Sequence, residues 1–523
     1  MSTTGNVARI GSAGFFENRF QDLSSRKFIY SFLLFGTILL AFTFKHPIGD
    51  FGNYYYGSKF WREGIDPLKF YQDLHFFNVE IRNYEAGPFL ENYAPVPPFS
   101  LIFYWPFTFL KLPIAKLIFS FLGLVVFCFS LERLIKAIKV FSLAFYLLPF
   151  IFFQPLYSNF HHGQTYLLIT ALLFEFYIAW QNNNKIRIGL IIAFLFALKI
   201  FPAFIAIVFL FKKDWKALGW IVCFTLLLQI VVYFVVGNTV MNYYYMDVFP
   251  RLAANDITEP FSYYNQSIYT FLLNAFVFHP YLNPSPFINS TIIAVTIQLV
   301  VYAFVFSVFV TTIVRKNQFI TFAIALLVLA ILNKYSTVYG LMIFLPFIFF
   351  QNYFPAKKMT LLCFIMFLLC NIPIYKFAVA PFFFQYSRVW LLSGLFLIVL
   401  FELKQGFDLK YFLAGVFLFA LPSLIFYKYE TENILEVRSK KGVVYNFSVQ
   451  KDRVKLFSCM GSKDTIESFD FVSTNIDSTQ FRNNNPLNKK AVLVNKADLF
   501  ELSDKNTGVG LNYLILITPK RVK

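Results

Sequence analysis

Long apolar runs separated by short basic clusters dominate the first 426 residues of the chain. A helix needs about 20 residues to cross the hydrocarbon core of a bilayer, so runs of this kind predict membrane-spanning helices. Placing the basic clusters on the cytoplasmic side gives an inside N-terminus. The runs are 28–44, 114–131, 140–157, 165–180, 188–211, 217–236, 290–314, 319–350, 359–377, 388–402 and 410–426.

Two of the runs are interpreted as hairpins of two short spans. Run 188–211 has basic clusters at both ends and a polar interruption at Lys199, and run 319–350 has the same pattern around Asn333-Lys334-Tyr335-Ser336. Splitting both predicts about thirteen spans and an outside C-terminus. Residues 98–112 do not fit this parity, and we expect them to form a helix at the outer interface, where Tyr104 and Trp105 suit the lipid headgroup region.

The pattern predicts an all-α polytopic membrane protein with a small additional domain. Residues 1–27 form a cytoplasmic N-terminus, and 28–426 form the transmembrane domain, which includes a long first outer loop at 45–113. Residues 427–523 are mixed in charge and predict a soluble tail domain with β-strands on the outer side. Its strand candidates are 442–449, 454–458, 491–494 and 513–518.

Composition supports the membrane interpretation. Of 523 residues, 58% are hydrophobic and 14% are charged, and the 73 phenylalanines are more than a soluble domain of this size could bury. The net charge of +18 comes from short clusters between apolar runs, which indicates cytoplasmic loops rather than a nucleic-acid partner. Four of the five cysteines lie in apolar runs, and their spacing predicts neither disulfides nor a metal site.

Asp50 is the candidate catalytic residue of the first outer loop. It is the first acid after the first apolar run and lies between Gly49 and Gly52, which allow a tight turn beside a ligand. A carboxylate here suits a general base that removes a proton from an acceptor hydroxyl, although a solvated loop acid is the simpler interpretation. The candidate aromatic contacts of the same loop are Tyr54, Tyr55 and Tyr93.

Three further polar clusters are candidates for substrate binding. His161-His162-Gly163-Gln164 is predicted to be a loop at the outer mouth, where His162 and Gln164 could bind sugar hydroxyls or phosphate or simply pair with each other. Lys199 could hold a phosphate or snorkel from a hairpin tip. The remaining candidates are Asn265, Gln266 and Ser267 for carbohydrate contacts, with Lys334 and Arg388 for the phosphate.

Several motifs follow one another in a recognisable order. They are DFGNYYYGSKFWREGIDPLKFY, YAPVPPFSLIFYWPF, HHGQTYLLITALLF, GLIIAFLFALKIFPAFIAIVFLFKKDWKA and YNQSIYTFLL. In this order and spacing, over about residues 28–350, the chain resembles glycosyltransferase family 87. These are polyprenol-phosphate-mannose-dependent mannosyltransferases of the C-class glycosyltransferase fold.

The resemblance implies a hexosyltransferase that uses a polyprenyl-phosphate-linked sugar, usually mannose, on the outer membrane face and inverts the anomeric centre. Asp50 would be the catalytic acid residue, and Gln164, Lys199 and Asn265–Ser267 would lie near the donor. No metal or other cofactor is implied. The acceptor would be a glycolipid, a polysaccharide or a protein. The expected location is a bacterial inner membrane, with the active site and tail on the periplasmic side.

Alternative classes remain open from the sequence. A lipid-linked glycan transporter or flippase would bind the same donor without making a bond, but the candidate charges gather at outer tips rather than along a path through the bilayer. A polysaccharide polymerase or ligase would be expected to carry its basic and histidine residues in two large outer loops. A structural membrane subunit is the least specific alternative.

Overall fold

The computed structural model describes a helical chain up to residue 426 and separate strands beyond it. The described residues before the tail are 13–44, 50–72, 77, 81, 96–250, 261, 264–278, 283, 286–315, 317–334, 336–377, 380–404 and 406–426. The described tail residues are those of the six strands whose bounds follow below.

Nineteen α-helices lie in the described part of the chain. Their bounds are Ala13–Thr43, Phe51–Arg62, Pro67–Gln72, Phe99–Tyr104, Leu112–Ile138, Leu148–Ile151, Phe153–His162, Tyr166–Gln181, Lys185–Leu198, Ile207–Phe211, Trp215–Val236, Asn238–Tyr243, Ile268–Phe276, Thr291–Arg315, Gln318–Leu332, Ala356–Asn371, Phe382–Gln385, Ser387–Glu402 and Leu409–Phe426. The 3₁₀ helices in the described part of the chain are Trp105–Phe109, Leu143–Leu147, Phe201–Ala206, Val338–Asn352 and Ile374–Phe377, and Tyr244–Val248 is a π-helix.

Four described helices are long and apolar enough to cross a membrane, namely Ser24–Thr43, Leu112–Ile138, Trp215–Val236 and Thr291–Val314. The third of these buries few of its side chains, and Leu226, Ile230 and Phe234 are more than half exposed. Such apolar surface is stable only against lipid or another apolar partner. The structure therefore supports a membrane protein, while the total of about thirteen spans stays a prediction.

The two predicted breaks in the long apolar runs fall where helices end. Helix Lys185–Leu198 ends immediately before Lys199, and the chain continues as 3₁₀ helix Phe201–Ala206 with a proline near its start. Helix Gln318–Leu332 ends at Asn333, and a 3₁₀ helix begins at Val338. Both lysines of these breaks, Lys199 and Lys334, therefore lie outside regular helices.

The first outer loop is more compact than the sequence suggested. Helix Phe51–Arg62 buries nine of its residues, including the three tyrosines Tyr54–Tyr56. They pack with the ends of helices Leu112–Ile138, Lys185–Leu198 and Trp215–Val236 in one aromatic cluster, separate from the larger core of the bundle. The loop is thus a folded cap of aromatic side chains in its described part.

The segment predicted to lie at the outer interface has a mixed environment. Trp105 and Phe109 are exposed, as an interfacial helix requires. Tyr104, however, is buried and stacks on Tyr54, with ring centroids 4.8 Å apart and planes 6° apart. The expectation that Tyr104 contacts lipid headgroups is wrong, because its ring fills the aromatic cluster instead.

The tail contains strands Asn433–Ser439, Val444–Gln450, Arg453–Met460, Ile466–Ser473, Phe500–Ser503 and Tyr513–Pro519. The first three pair in sequence as antiparallel hairpins, and the fifth pairs with the first. The fourth and sixth form a separate antiparallel pair. Three of the predicted strands coincide with these, and the candidate 491–494 lies outside the described residues. That the strands form a separate soluble domain stays a prediction.

Candidate functional site

Asp50, Gln164 and Lys199 come together although each follows a different helix. Asp50 immediately precedes helix Phe51–Arg62, Gln164 follows the helix that ends at His162, and Lys199 follows Leu198. The Gln164 amide Nε2 donates a hydrogen bond to Asp50 Oδ2. Its carbonyl Oε1 accepts from Lys199 Nζ at 3.4 Å and from the Tyr54 hydroxyl at 3.5 Å.

Aromatic rings surround the ammonium group of Lys199. Its Nζ lies 4.2 Å from the ring centroid of Tyr166 and 6.0 Å from that of Tyr339, which are cation–π distances. Burial lowers the pKa of Lys199 to about 8, and the negative charge of Asp50 opposes that change. At pH 7 the side chain is therefore mostly a cation, held in an environment that would favour an anionic partner.

The turn that presents Gln164 is a helix end of a well-defined type. Gly163 adopts a left-handed conformation (φ 63°), Gln164 N donates to Asn159 O at 2.9 Å, and Gly163 N donates to Phe160 O at 3.3 Å. This is the Schellman arrangement, which favours glycine at the left-handed position. A side chain at Gly163 would also be blocked, since its Cβ would lie 2.5 Å from Phe51 Cβ.

His161 and His162 are not in a loop, as the sequence suggested, but in the last turn of helix Phe153–His162. Histidine in the last turn followed by glycine is a helix-end signal that explains the difference. Burial lowers the pKa of His162, while Asp50 raises it and Lys116 lowers it further. The neutral form of the His162 imidazole is therefore favoured, and its ring centroid lies 6.2 Å from that of Tyr339.

Sequence reasoning missed Lys116 and Tyr339. Lys116 lies in the second turn of helix Leu112–Ile138, is 7% exposed, and donates from Nζ to His161 O at 2.5 Å. A single lysine near the end of an apolar run could have been found as a buried charge that needs a partner. For Tyr339, the sequence offered one signal, namely its position shortly after the predicted helix break at 333–336.

The remaining predicted residues form a second cluster. Asn265 Nδ2 donates to Lys334 O at 2.9 Å, and Ser336 N donates to Asn265 Oδ1 at 2.8 Å. Gln266 Nε2 donates to Gln385 O at 2.8 Å, and its Oε1 accepts from Arg388 N at 3.2 Å. These two amide side chains therefore join loops to one another through the backbone.

Ser267, Arg388 and Lys334 have structural contacts as well. Ser267 caps helix Ile268–Phe276 by accepting from Thr270 N at 3.1 Å. The Arg388 guanidinium donates to the carbonyls at the end of helix Ala356–Asn371 and just after it, Leu369 O at 3.2 Å and Ile372 O at 2.9 Å. Lys334 Nζ lies 4.7 Å from the Tyr269 ring, and burial lowers its pKa to about 6.

The predicted aromatic contacts are used in packing where the structure describes them. Tyr54 stacks on Tyr104, and the Tyr55 hydroxyl donates to Leu110 O at 2.8 Å. Tyr93 lies outside the described residues. Among the described residues, no group of three His, Cys, Asp or Glu side chains is placed to hold a metal ion.

The fold and this cluster define a helical membrane protein with a carboxylate, an amide and an ammonium gathered at the ends of its helices. Comparison with known families gives the class of enzyme. The sequence model of glycosyltransferase family 87 matches residues 96–339, so this segment belongs to that family and indicates a glycosyltransferase. The family predicted from the motifs is thereby confirmed. Searches of curated proteins and of solved structures gave no significant match.

The matched segment contains part of the site. Gln164, Lys199, Lys116 and Tyr339 lie within residues 96–339, whereas Asp50 lies before them. The hydrogen bond from Gln164 is therefore what connects Asp50 to the family segment.

Proposed function

We propose that the protein transfers a sugar from a polyprenyl-phosphate donor to an acceptor hydroxyl, with inversion at the anomeric carbon, and that mannose is the sugar. The observation that carries this proposal is the arrangement of Asp50, Gln164 and Lys199, in which one amide side chain contacts both a carboxylate and an ammonium group. The donor is a membrane lipid, and the chain around this cluster is a membrane protein.

Lys199 is suited to the phosphate of the donor. Transfer leaves a polyprenyl phosphate whose negative charge grows as the bond to the sugar breaks, and a nearby cation stabilises that charge. Within the described part of the chain, the Lys199 ammonium contacts an amide oxygen and two aromatic rings but forms no salt bridge. A phosphate would therefore supply an anion to a cation that now has only neutral neighbours in direct contact.

Lys334 is a weaker candidate for the same role. With the pKa of its amine lowered to about 6 by burial, it is mostly neutral at pH 7 in the unliganded protein. Arg388 already donates to two backbone carbonyls at a helix end. We therefore assign the phosphate contact to Lys199 ahead of these two residues.

Asp50 is suited to activate the acceptor. Its Oδ2 accepts from Gln164, and its side chain does not cap the helix that follows it. A carboxylate oriented through one oxygen leaves the other for a hydroxyl proton. A donor with its anomeric carbon near the Gln164 amide would have the base on one side and the phosphate-binding cation on the other, as in-line displacement requires.

The proposed location is a bacterial inner membrane with this cluster on the periplasmic side. Lys185 and Arg187 begin the helix that ends just before Lys199, so they lie at its other end. Two further basic clusters also lie at helix ends: Lys136 and Lys139 at the end of helix Leu112–Ile138, and Lys212 and Lys213 directly after helix Ile207–Phe211. Such clusters favour the cytoplasmic face. The sugar of the lipid-linked donor would then lie on the periplasmic side of the membrane, the same side as the site.

The test is transfer of radiolabelled mannose from polyprenyl-phosphate-mannose in native membranes that contain the acceptor. We expect wild-type protein to transfer label and Asp50→Asn to lose about 10²–10⁴-fold in rate, as for removal of a general base. Asp66→Asn is the matched control, because Asp66 is exposed in the same loop and its Oδ1 acceptor for Leu68 N is kept. That variant should transfer normally.

Each other outcome has a defined meaning. Normal transfer by Asp50→Asn removes Asp50 from the role of base. Binding of the donor without transfer by wild-type protein, with any sugar offered, favours movement of a lipid-linked glycan across the membrane instead.

A further inference from the structure

Lys116 is a buried charge that the proposed mechanism does not use. It lies in the second turn of a helix long enough to span the membrane, and it is only 7% exposed. A charged side chain within an apolar span is costly, so such residues have a partner or a function. The Lys116 ammonium Nζ donates a hydrogen bond to the carbonyl oxygen of His161 at 2.5 Å.

This contact completes the end of helix Phe153–His162. The Schellman bonds satisfy the carbonyls of Asn159 and Phe160, and Lys116 satisfies that of His161. A cation at a helix C-terminus is also favoured by the helix dipole. The ammonium of Lys116 therefore fixes the last turn at the point where the chain leaves the helix toward Gln164.

The start of the helix that follows Asp50 packs against the same turn. The Cα of Gly163 is enclosed on two sides, since an added Cβ would lie 2.5 Å from Phe51 Cβ and 3.3 Å from Lys116 Cγ. Phe51 is the first residue of the helix that Asp50 precedes. The left-handed turn is thus held between the side chain of Lys116 and the start of the Asp50 helix.

We propose that Lys116 is a positioning residue for transfer: it holds the turn at Gly163 so that the Gln164 amide reaches Asp50 and Lys199 together. This inference rests on the proposed function, because it assigns a role in the same site. Lys116 touches neither donor nor acceptor and acts through Gln164. Its loss should therefore affect the rate of the chemical step more than the binding of the donor.

The experiment is a double-mutant cycle on purified, lipid-reconstituted protein, with kcat and donor KM measured for mannosyl transfer. The variants are Lys116→Met, Gln164→Met and the double variant. A misplacement of about 1 Å can cost about 100-fold in rate, so we expect Lys116→Met to lower kcat about 10- to 100-fold with KM changed less than about twofold. The double variant should be no slower than Gln164→Met alone, because the two residues act through one contact.

Conservative and matched variants separate positioning from folding. Lys116→Arg keeps a cation that can donate to His161 O and should recover part of the lost kcat. Lys111→Met, at the exposed start of the same helix, should leave both constants unchanged. If Lys116→Met is not recovered as folded protein, two other variants replace it in turn in the cycle with Gln164→Met. They are Lys116→Arg, and Gly163→Ala, which displaces the same turn.

Three results would overturn the proposal. Effects of Lys116→Met and Gln164→Met that multiply in the double variant would show independent roles. A raised donor KM with unchanged kcat would make Lys116 a ligand of the donor. Wild-type constants in Lys116→Met would show that the contact is dispensable. Asp50→Asn is assayed in parallel, and its full activity would refute the proposed base without bearing on the cycle between Lys116 and Gln164.

Discussion

The side-chain amide of Gln164 donates a hydrogen bond to the carboxylate of Asp50, 114 positions earlier in the chain. The same amide accepts from Lys199 Nζ at 3.4 Å. A residue between a carboxylate and an ammonium group orients both, so the geometry of the site depends on how the turn before Gln164 is built.

The first prediction concerns pH. Burial lowers the pKa of Lys199 to about 8, so its side chain loses its proton, and with it the attraction for phosphate, as pH rises through that value. Because kcat/KM reports the free enzyme, we expect kcat/KM for the donor to fall up to about tenfold per pH unit above about pH 8. A polyprenyl-phosphate sugar is a phosphodiester, and its charge is constant over this range.

Lys199→Arg is the informative variant for this prediction, because arginine stays charged at every accessible pH. Its kcat/KM should be independent of pH between 7 and 10, whatever its absolute value. Lys111→Arg, at an exposed position, should keep the wild-type profile. A decline of the same steepness in Lys199→Arg would assign the titration to another group.

The second prediction uses three glycines that differ in backbone and surroundings. Gly163→Ala places a methyl group against Phe51 and keeps a positive φ, so it should destabilise the protein by more than the roughly 1–2 kcal/mol of a left-handed alanine. Gly64→Ala has φ +85° and open space, and should cost only that backbone term. Gly219→Ala lies in a helix with nothing within 4 Å and should be neutral or slightly stabilising.

Thermal unfolding in detergent and mannosyl transfer are measured for all three variants. Transfer should be impaired only in Gly163→Ala, since the other two glycines are not at the site. Equal unfolding temperatures for Gly163→Ala and Gly64→Ala would mean that Phe51 moves aside without cost.

The third prediction separates structure from binding at Asn265. Asn265→Ala removes both hydrogen bonds that join this side chain to the backbone at Lys334 and Ser336. Leaving those backbone groups unsatisfied should lower the free energy of unfolding by about 1–3 kcal/mol. The donor KM of the folded variant should change little.

Asn182→Ala, at an exposed helix end, serves as the matched control and should unfold like wild-type protein. A large rise in donor KM for Asn265→Ala at an unchanged unfolding temperature would instead support the carbohydrate contact expected from the sequence.

The fourth prediction concerns Tyr54, whose ring stacks on Tyr104 and whose hydroxyl is 3.5 Å from Gln164 Oε1. Tyr54→Phe keeps the stack and loses only a long hydrogen bond, so transfer should stay within about threefold of wild type. Tyr54→Leu loses the stack, which is worth about 0.5–1.5 kcal/mol beyond buried area, and should lower the unfolding temperature. A raised KM in Tyr54→Leu without loss of stability would indicate a ring that contacts the sugar.

The fifth prediction tests orientation. In a variant without native cysteines, a membrane-impermeant maleimide should label Lys69→Cys in intact bacterial cells, because Lys69 is exposed in the loop that is predicted to face outside. Lys213→Cys lies in a basic cluster expected on the cytoplasmic side and should be labelled only after permeabilisation. The reverse pattern would place the proposed site in the cytoplasm.

Much of the local structure could be predicted from the sequence. The apolar runs correspond to helices, and both polar interruptions, at Lys199 and at 333–336, fall between helix ends. The histidines before Gly163 show where such prediction was incomplete. They were expected in a loop, although a glycine after a basic last turn is a local signal for the end of a helix.

The sequence by itself determined the membrane class, the helix breaks and the family motifs, because burial in lipid and helix ends depend on short stretches of chain. Only the tertiary structure decided which polar residues meet. Three such contacts join distant segments of the chain. They are the hydrogen bond from Gln164 to Asp50, the hydrogen bond from Lys116 to the His161 carbonyl and the stacking of Tyr54 on Tyr104. Such contacts are fixed by how helix ends pack together, and no local pattern of residues encodes that packing.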